Sequence, residues 1–143
     1  MLSGLYISKL AKARRLLIPK SLRQELGKVF IVSKWYEKSI VLVPFDQWES
    51  FVEKVLGPEN QIKLAKRDSE RFILGSSFKL KQDKQGRVVL PNILILHAKL
   101  GNDVVFLGLR NRIELWDKKE WERRENHITT HAGSILESLN TNA

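Results

Sequence analysis

Through the first 43 residues, apolar runs of strand length alternate with polar turns, and helical periodicity surfaces only once. Residues 4–10 alternate loosely around Leu5, Tyr6 and Ile7, which predicts a strand. A basic loop around Lys12 and Arg14 leads into a second strand over 15–18. Pro19 suits the first turn of a helix, so a short helix is expected over 20–26, closed by Gly27 as a C-terminal cap. Strands follow at 29–32 and 39–43, joined by a polar turn at 34–38. After Pro44, the positions of Phe45, Trp48, Val52, Val55 and Leu56 share one helical face, and Gly57-Pro58 ends it.

The second half repeats this plan. A polar helix is expected over 59–72, with Phe72, Ile73 and Leu74 as its docking end. Residues 76–82 read as a strand, and Asp83-Lys84-Gln85-Gly86 as a tight turn, because Gly accepts positive φ without penalty. Val88-Val89-Leu90 is a short strand, and Pro91 opens a helix to Leu100 capped by Gly101. Strands are expected at 104–107 and 113–116, and Asp117 with Glu120 marks a further helix start. Pro19 to Pro91 is 72 residues, Gly27 to Gly101 is 74, and Trp48 to Trp121 is 73. Three landmarks of different chemistry at nearly one offset indicate an internal duplication. The expected organisation is a first unit at 1–57, a helical connection at 58–74, a second unit at 75–128 and a flexible tail at 129–143.

Charge changes the picture more than composition does. With 43% hydrophobic and 29% charged residues, the chain has globular composition. It has no cysteine, which excludes disulfides, thiolate metal sites and cysteine nucleophiles. No apolar run is long enough for a membrane span and the N-terminus lacks signal-peptide character, so a soluble cytoplasmic protein is expected, with no membrane partner. The net charge is +9, and residues 1–24 hold Lys9, Lys12, Arg14, Arg15, Lys20 and Arg23 with no acid among them. Such a patch attracts a polyanion through counterion release; the alternative is a basic face kept for solubility.

The chemistry concentrates where the repeats coincide. Each copy ends its turn in Arg followed by three apolar residues and Pro: Arg15 in the first, Arg87 in the second. A guanidinium is permanently charged, forks onto phosphate and pairs bidentately with guanine in the major groove. The competing reading is a loop-stabilising ion pair with Asp83. Lys9, Lys12, Lys20, Lys81 and Lys84 are placed to supply phosphate attraction.

Met1-Leu2-Ser3-Gly4-Leu5-Tyr6, the two turn-strand-Pro units, the stretch from Val43 to Glu49 and Arg112-Ile113-Glu114-Leu115-Trp116 together resemble the bacterial MraZ family, over roughly residues 1–125. The resemblance implies an α+β, mainly β fold: tandem duplicated AbrB-like swapped-hairpin units forming a double-split β-barrel with flanking helices. It also implies a nucleoid-associated transcriptional regulator that binds double-stranded DNA at promoter direct repeats of the division and cell-wall gene cluster. A ring-shaped homo-oligomer is implied, and no cofactor. The family pattern of Asp, three residues and Arg is complete in the second copy as Asp83 and Arg87. In the first, Arg15 is in place, but Ala11 replaces the Asp, Ala13 the usual Lys and Arg14 the Gly. Arg at a position wanting positive φ costs about 1 kcal/mol unless the loop takes another path. The candidate DNA-binding residues are therefore Lys12, Arg14, Arg15, Asp83, Lys84 and Arg87, with Arg87 expected to read bases and the first-loop cluster to anchor phosphates.

Other chemistry is sparse. His127 and His131 are four apart, but Ile128 stands where a zinc protease needs Glu, so no metal site is expected. No nucleophile-base set or phosphate loop is present, and an enzyme is not expected. Trp48, Trp116 and Trp121 read as packing residues, whereas Trp35-Tyr36 lies at an expected turn and should be exposed. The helix through Ile93, Leu94, Ile95 and Leu96 is more apolar than one buried face requires, which points to a subunit interface. The alternative function is accordingly a ring-forming interaction module that does not use DNA.

Overall fold

The computed structural model describes residues 1–58 and 63–141. In chain order, β1 (Leu2–Ala11), β2 (Arg15–Leu17), α1 (Lys20–Leu26), β3 (Val29–Lys34), β4 (Ile40–Pro44) and α2 (Trp48–Leu56) form the first copy. After α3 (Leu64–Ile73), the second copy supplies β5 (Phe78–Lys81), β6 (Arg87–Val89), α4 (Asn92–Ala98), β7 (Asp103–Arg110), β8 (Ile113–Asp117) and α5 (Lys118–Thr130), followed by α6 (Ala132–Thr141).

The eight strands form one antiparallel, nearly closed barrel in the order β5-β3-β4-β8-β7-β1-β2-β6. Each copy lends its first strand to the other: β1 pairs with β7, and β5 with β3. Equivalent strands meet across a pseudo-two-fold axis, β4 against β8 and β2 against β6. Leu16 faces Val88, its own equivalent at the 72-residue offset, so the axis passes through that pair. Two backbone bonds repeat the relation: Ile18 N–H donates to Gly86 O at 2.8 Å, and Leu90 N–H to Arg14 O at 2.9 Å. This is the expected swapped-hairpin arrangement, and it makes the two copies share one core.

That core takes matched residues from both copies: Leu16 with Val88, Ile18 with Leu90, Leu22 with Leu94, Ile40 with Ile113 and Leu42 with Leu115. Size is exchanged at two matched places, Phe30 with Val104 and Val32 with Phe106. The large-small pairing reverses, so the filled volume is kept. Each fully buried Phe or Leu stabilises the fold by about 1.5–3 kcal/mol.

Several elements depart from the pattern read in the sequence. The chain after Pro44 first makes a 3-10 turn, Phe45–Gln47, so α2 begins only at Trp48. Phe51 then becomes the buried residue of α2, in a second cluster with Trp35, Val41, Val43 and Ile73, while Phe45 stays exposed beneath the Lys79 ammonium. Trp35 is buried rather than exposed, with its Nε1–H donated to Glu114 Oε2 at 2.8 Å; only Tyr36 faces solvent. The helix α4 ends earlier than expected: Lys99, at φ 51°, takes the left-handed capping place, and Gly101 N–H donates to Asp117 Oδ1. The expected helix at 59–72 is observed as α3; residues 59–62 lie outside the described residues. Buried Lys66 on α3 donates to the carbonyls of Leu56, Gly57 and Pro58 at 2.8–2.9 Å, satisfying the end of α2.

Asp117 caps α5 through the backbone N–H groups of Lys119 and Glu120. Where a flexible tail is expected over 129–143, α5 runs to Thr130 and α6 follows through Thr141; residues 142–143 lie outside the described residues. The bonds His131 N–H to His127 O and Ile135 N–H to His131 O span the junction, where His131 itself leaves helical geometry at φ −110°. No helix among the described residues is long and apolar enough to cross a membrane.

Candidate nucleic-acid interface

The six candidate residues lie in the two turns that feed β2 and β6 and at the first residue of each of those strands. The second turn is built by Asp83. Its Oδ1 accepts the backbone N–H of Gln85 at 2.8 Å and of Arg87 at 2.9 Å, while Gly86 N–H donates to Asp83 O. The Arg87 N–H bond is the main cause that lowers the Asp83 pKa below its ordinary 3.8, with smaller contributions from Gln85 N–H and the Arg87 and Arg15 charges. The carboxylate thus serves backbone amides first, and the Arg87 guanidinium donates to Gln85 Oε1 at 2.7 Å. The loop-stabilising ion pair is not its main bond.

Gly86 has φ +81°, the value that its role in the turn requires. Space is also short there, because a Cβ would collide with the Arg23 side chain. Arg23, on α1, passes over Gly86 to donate its Nε–H to Ile18 O at 2.7 Å. Arg23 belongs to the basic patch of the sequence, yet its Nε–H is committed to a backbone carbonyl. Lys9 likewise stands 3.3 Å from Asp103, an exposed pair of small energetic weight. Gln82 was not singled out either. It is buried and its Nε2 donates to Gly27 O at 2.7 Å, anchoring the second turn to the end of α1. Its equivalent in the first copy is Leu10, so the repeat alignment marks the position without revealing the bond.

The first turn joins its strands without the Asp or the Gly and by a different path, a 3-10 turn over Lys12–Arg14, whereas in the second turn only Gly86 is left-handed. Ala13 and Arg14 both take left-handed geometry, at φ 60° and 58°, so Arg14 does occupy the strained position. Arg14 Nη1–H donates to Leu90 O at 3.2 Å. Leu90 is the equivalent of Ile18, and Ile95 stands at the equivalent of Arg23. One guanidinium therefore serves the corresponding carbonyl in each half, supplied from α1 across a glycine in one and from the turn itself in the other. This gives Arg14 a structural bond as well as a charge.

Arg15 and Arg87 are brought together more closely than separate loop tips would be. Both begin strands of the β2–β6 ribbon, where Arg15 faces Val89 and Leu17 faces Arg87. Leu16 and Val88 point into the core, so Arg15, Leu17, Arg87 and Val89 share the outward face. A shallow hollow on this face is lined by Arg15, Lys81, Asp83, Arg87 and Val89. Lys12 and Lys84 are exposed on the two flanking turns. Outward guanidiniums such as these can fork onto a phosphate or another planar acceptor.

The other candidates add no second site. His131 Nδ1 lies 2.9 Å from His127 O, and no group of three metal-capable side chains occurs among the described residues. His97 Nε2 lies 3.1 Å from Ser39 O and 3.2 Å from Trp35 O, at the junction of the two apolar clusters.

Residues 73–134 match the family described as "MraZ protein, putative antitoxin-like". The chain is 34% identical over 142 residues to the transcriptional regulator MraZ of Oenococcus oeni, covering 97% of this chain and 96% of that protein. The MraZ regulators of Leuconostoc mesenteroides, at 34% identity, and of Caldanaerobacter subterraneus, at 32%, match over the same shares. A swapped-hairpin barrel formed by two copies and near full-length relatives of one kind agree, and the chain belongs to the MraZ family of transcriptional regulators.

Proposed function

We propose that this regulator binds double-stranded DNA in a sequence-specific way, with the β2–β6 ribbon as its reading surface. The observation that carries this is the shared outward face of Arg15 and Arg87, two equivalent cations on one rigid ribbon. Arg15 and Arg87 reach base edges, while Lys12, Lys84 and the remaining donors of Arg14 attract phosphate. Asp83 holds the second turn in shape rather than touching DNA. The target is promoter direct repeats of the division and cell-wall gene cluster, bound by a homo-oligomeric ring at the nucleoid in the cytoplasm. Several weak ribbons gathered on one ring bind repeated sites by avidity. In support of the ring, α4 leaves Ile93 and Leu96 exposed, Leu96 at 69%.

The test is a gel-shift titration on a repeat-bearing promoter fragment. Arg15→Ala with Arg87→Ala should weaken binding by at least about 30-fold, from roughly 1–3 kcal/mol for each bidentate pair. Unchanged affinity would remove the ribbon as the reading surface. The second reading, a ring-forming interaction module, is motivated by the same exposed α4 residues. It predicts oligomers by light scattering whose mass and stability ignore DNA at moderate salt.

A further inference from the structure

The outward face of the ribbon carries two apolar side chains that the core does not use. Leu17 is 43% exposed and Val89 49% exposed, although their strand neighbours Leu16 and Val88 are buried. They are equivalents at the 72-residue offset, and each faces an arginine: Leu17 opposite Arg87, Val89 opposite Arg15. The four side chains thus form a two-fold-related square with the cations on one diagonal and the apolar groups on the other. Strand propensity alone asks for no apolar group at these water-facing places, since Thr would serve as well.

A square of this kind suits a surface where hydrogen-bond acceptors alternate with methyl groups. The major groove offers that combination at adjoining base pairs: guanine presents N7 and O6, and thymine presents its C5-methyl. Cross-strand neighbours stand about 4.5–5.5 Å apart, between one and two base-pair steps of about 3.4 Å. A second copy docked through the same face is a poor occupant, because it would press Arg15 and Arg87 against their own like charges. We propose that Leu17 and Val89 are specificity-determining residues that pack on thymine C5-methyl groups beside the guanines met by Arg87 and Arg15. This rests on the DNA-binding reading above.

The experiment replaces thymidine by deoxyuridine, which removes only the methyl. A duplex recovered by selection from random fragments is resynthesised with uracil at each thymine in turn, and binding of the full chain is titrated. The wild type should lose roughly fourfold in affinity at each contacted thymine, the burial value of one methyl. Leu17→Ser with Val89→Ser should bind the thymine and uracil duplexes equally, with its oligomeric mass unchanged. Equal wild-type binding to both duplexes overturns the proposal while leaving the DNA-binding reading in place. A uracil penalty retained by the double variant, or a changed oligomeric mass, also overturns it. If selection recovers no duplex at all, the reading beneath falls and takes this inference with it.

Discussion

In the second turn, Asp83 gathers two backbone amides and Gly86 supplies the left-handed residue, leaving room for Arg23 to cross above it. In the first turn, Ala11 gathers nothing, Arg14 adopts the left-handed geometry itself, and Ile95 stands where a crossing arginine would originate. Both halves still satisfy the same carbonyl with a guanidinium. The arginine that crosses the second turn passes over a glycine, and the first turn, with neither a glycine nor a crossing arginine, carries its own arginine. The backbone is constrained by the pseudo-two-fold ladder around Leu16 and Val88, whichever residues supply the turn.

The largest expected difference between the turns is in the response of their left-handed positions. Gly86→Ala meets both an unfavourable φ and the Arg23 side chain, and should cost about 1–3 kcal/mol in urea unfolding. Arg14→Gly removes strain and a hydrogen bond together while freeing the unfolded chain, so its net cost should stay below about 1 kcal/mol. Equal costs at the two positions would break the comparison.

A smaller effect sharpens it. Ile95→Arg alone should destabilise, because Ile95 packs against the core and Arg14 already serves Leu90 O. Combined with Arg14→Gly, it rebuilds the arrangement of the second half. The double-mutant cycle should then return a favourable coupling of about 1 kcal/mol. Additive costs would show that the two sites act independently.

The smallest effect is a pH dependence confined to one turn. The folded-state pKa of Asp83 lies below its ordinary 3.8. Its contribution is therefore fully present above pH 3.8 and is lost as pH falls through the lower folded value. The amide proton shifts of Gln85 and Arg87 should titrate below pH 3.8, whereas those of Ala13 and Arg15 should not follow that transition, since Ala11 has no carboxyl. Titration of both turns together in an NMR series would show that the acid is not what separates them.

Local patterning alone made the duplication, most strand positions and α1 legible. The offset between Pro19 and Pro91 holds because both prolines take the same place before a helix, at φ −54° and −59°, whereas Gly27 caps α1 and Lys99 rather than Gly101 caps α4. Patterning failed where packing overrode it. The face read through Phe45 and Val52 assumed a helix starting at Pro44, but the 3-10 turn shifts the buried position to Phe51. Trp35 lies at a turn as expected, yet Glu114, 79 residues away, accepts its indole N–H and helps hold it inside.

The same division runs through the candidate interface. By itself, the sequence determined that Arg15 and Arg87 occupy equivalent places, that the first turn lacks an acid and a glycine, and that the chain is strongly basic. Those are properties of residue type and spacing. Only the tertiary structure decided that the two arginines share one ribbon, that Arg23 and Arg14 turn to backbone carbonyls, and that Leu17 and Val89 face outward. The physical reason is the strand swap: each copy completes the other's sheet, so the contacts that join the two turns, Ile18 to Gly86, Leu90 to Arg14 and the Leu16–Val88 pair, bridge some seventy residues, beyond the reach of local pattern.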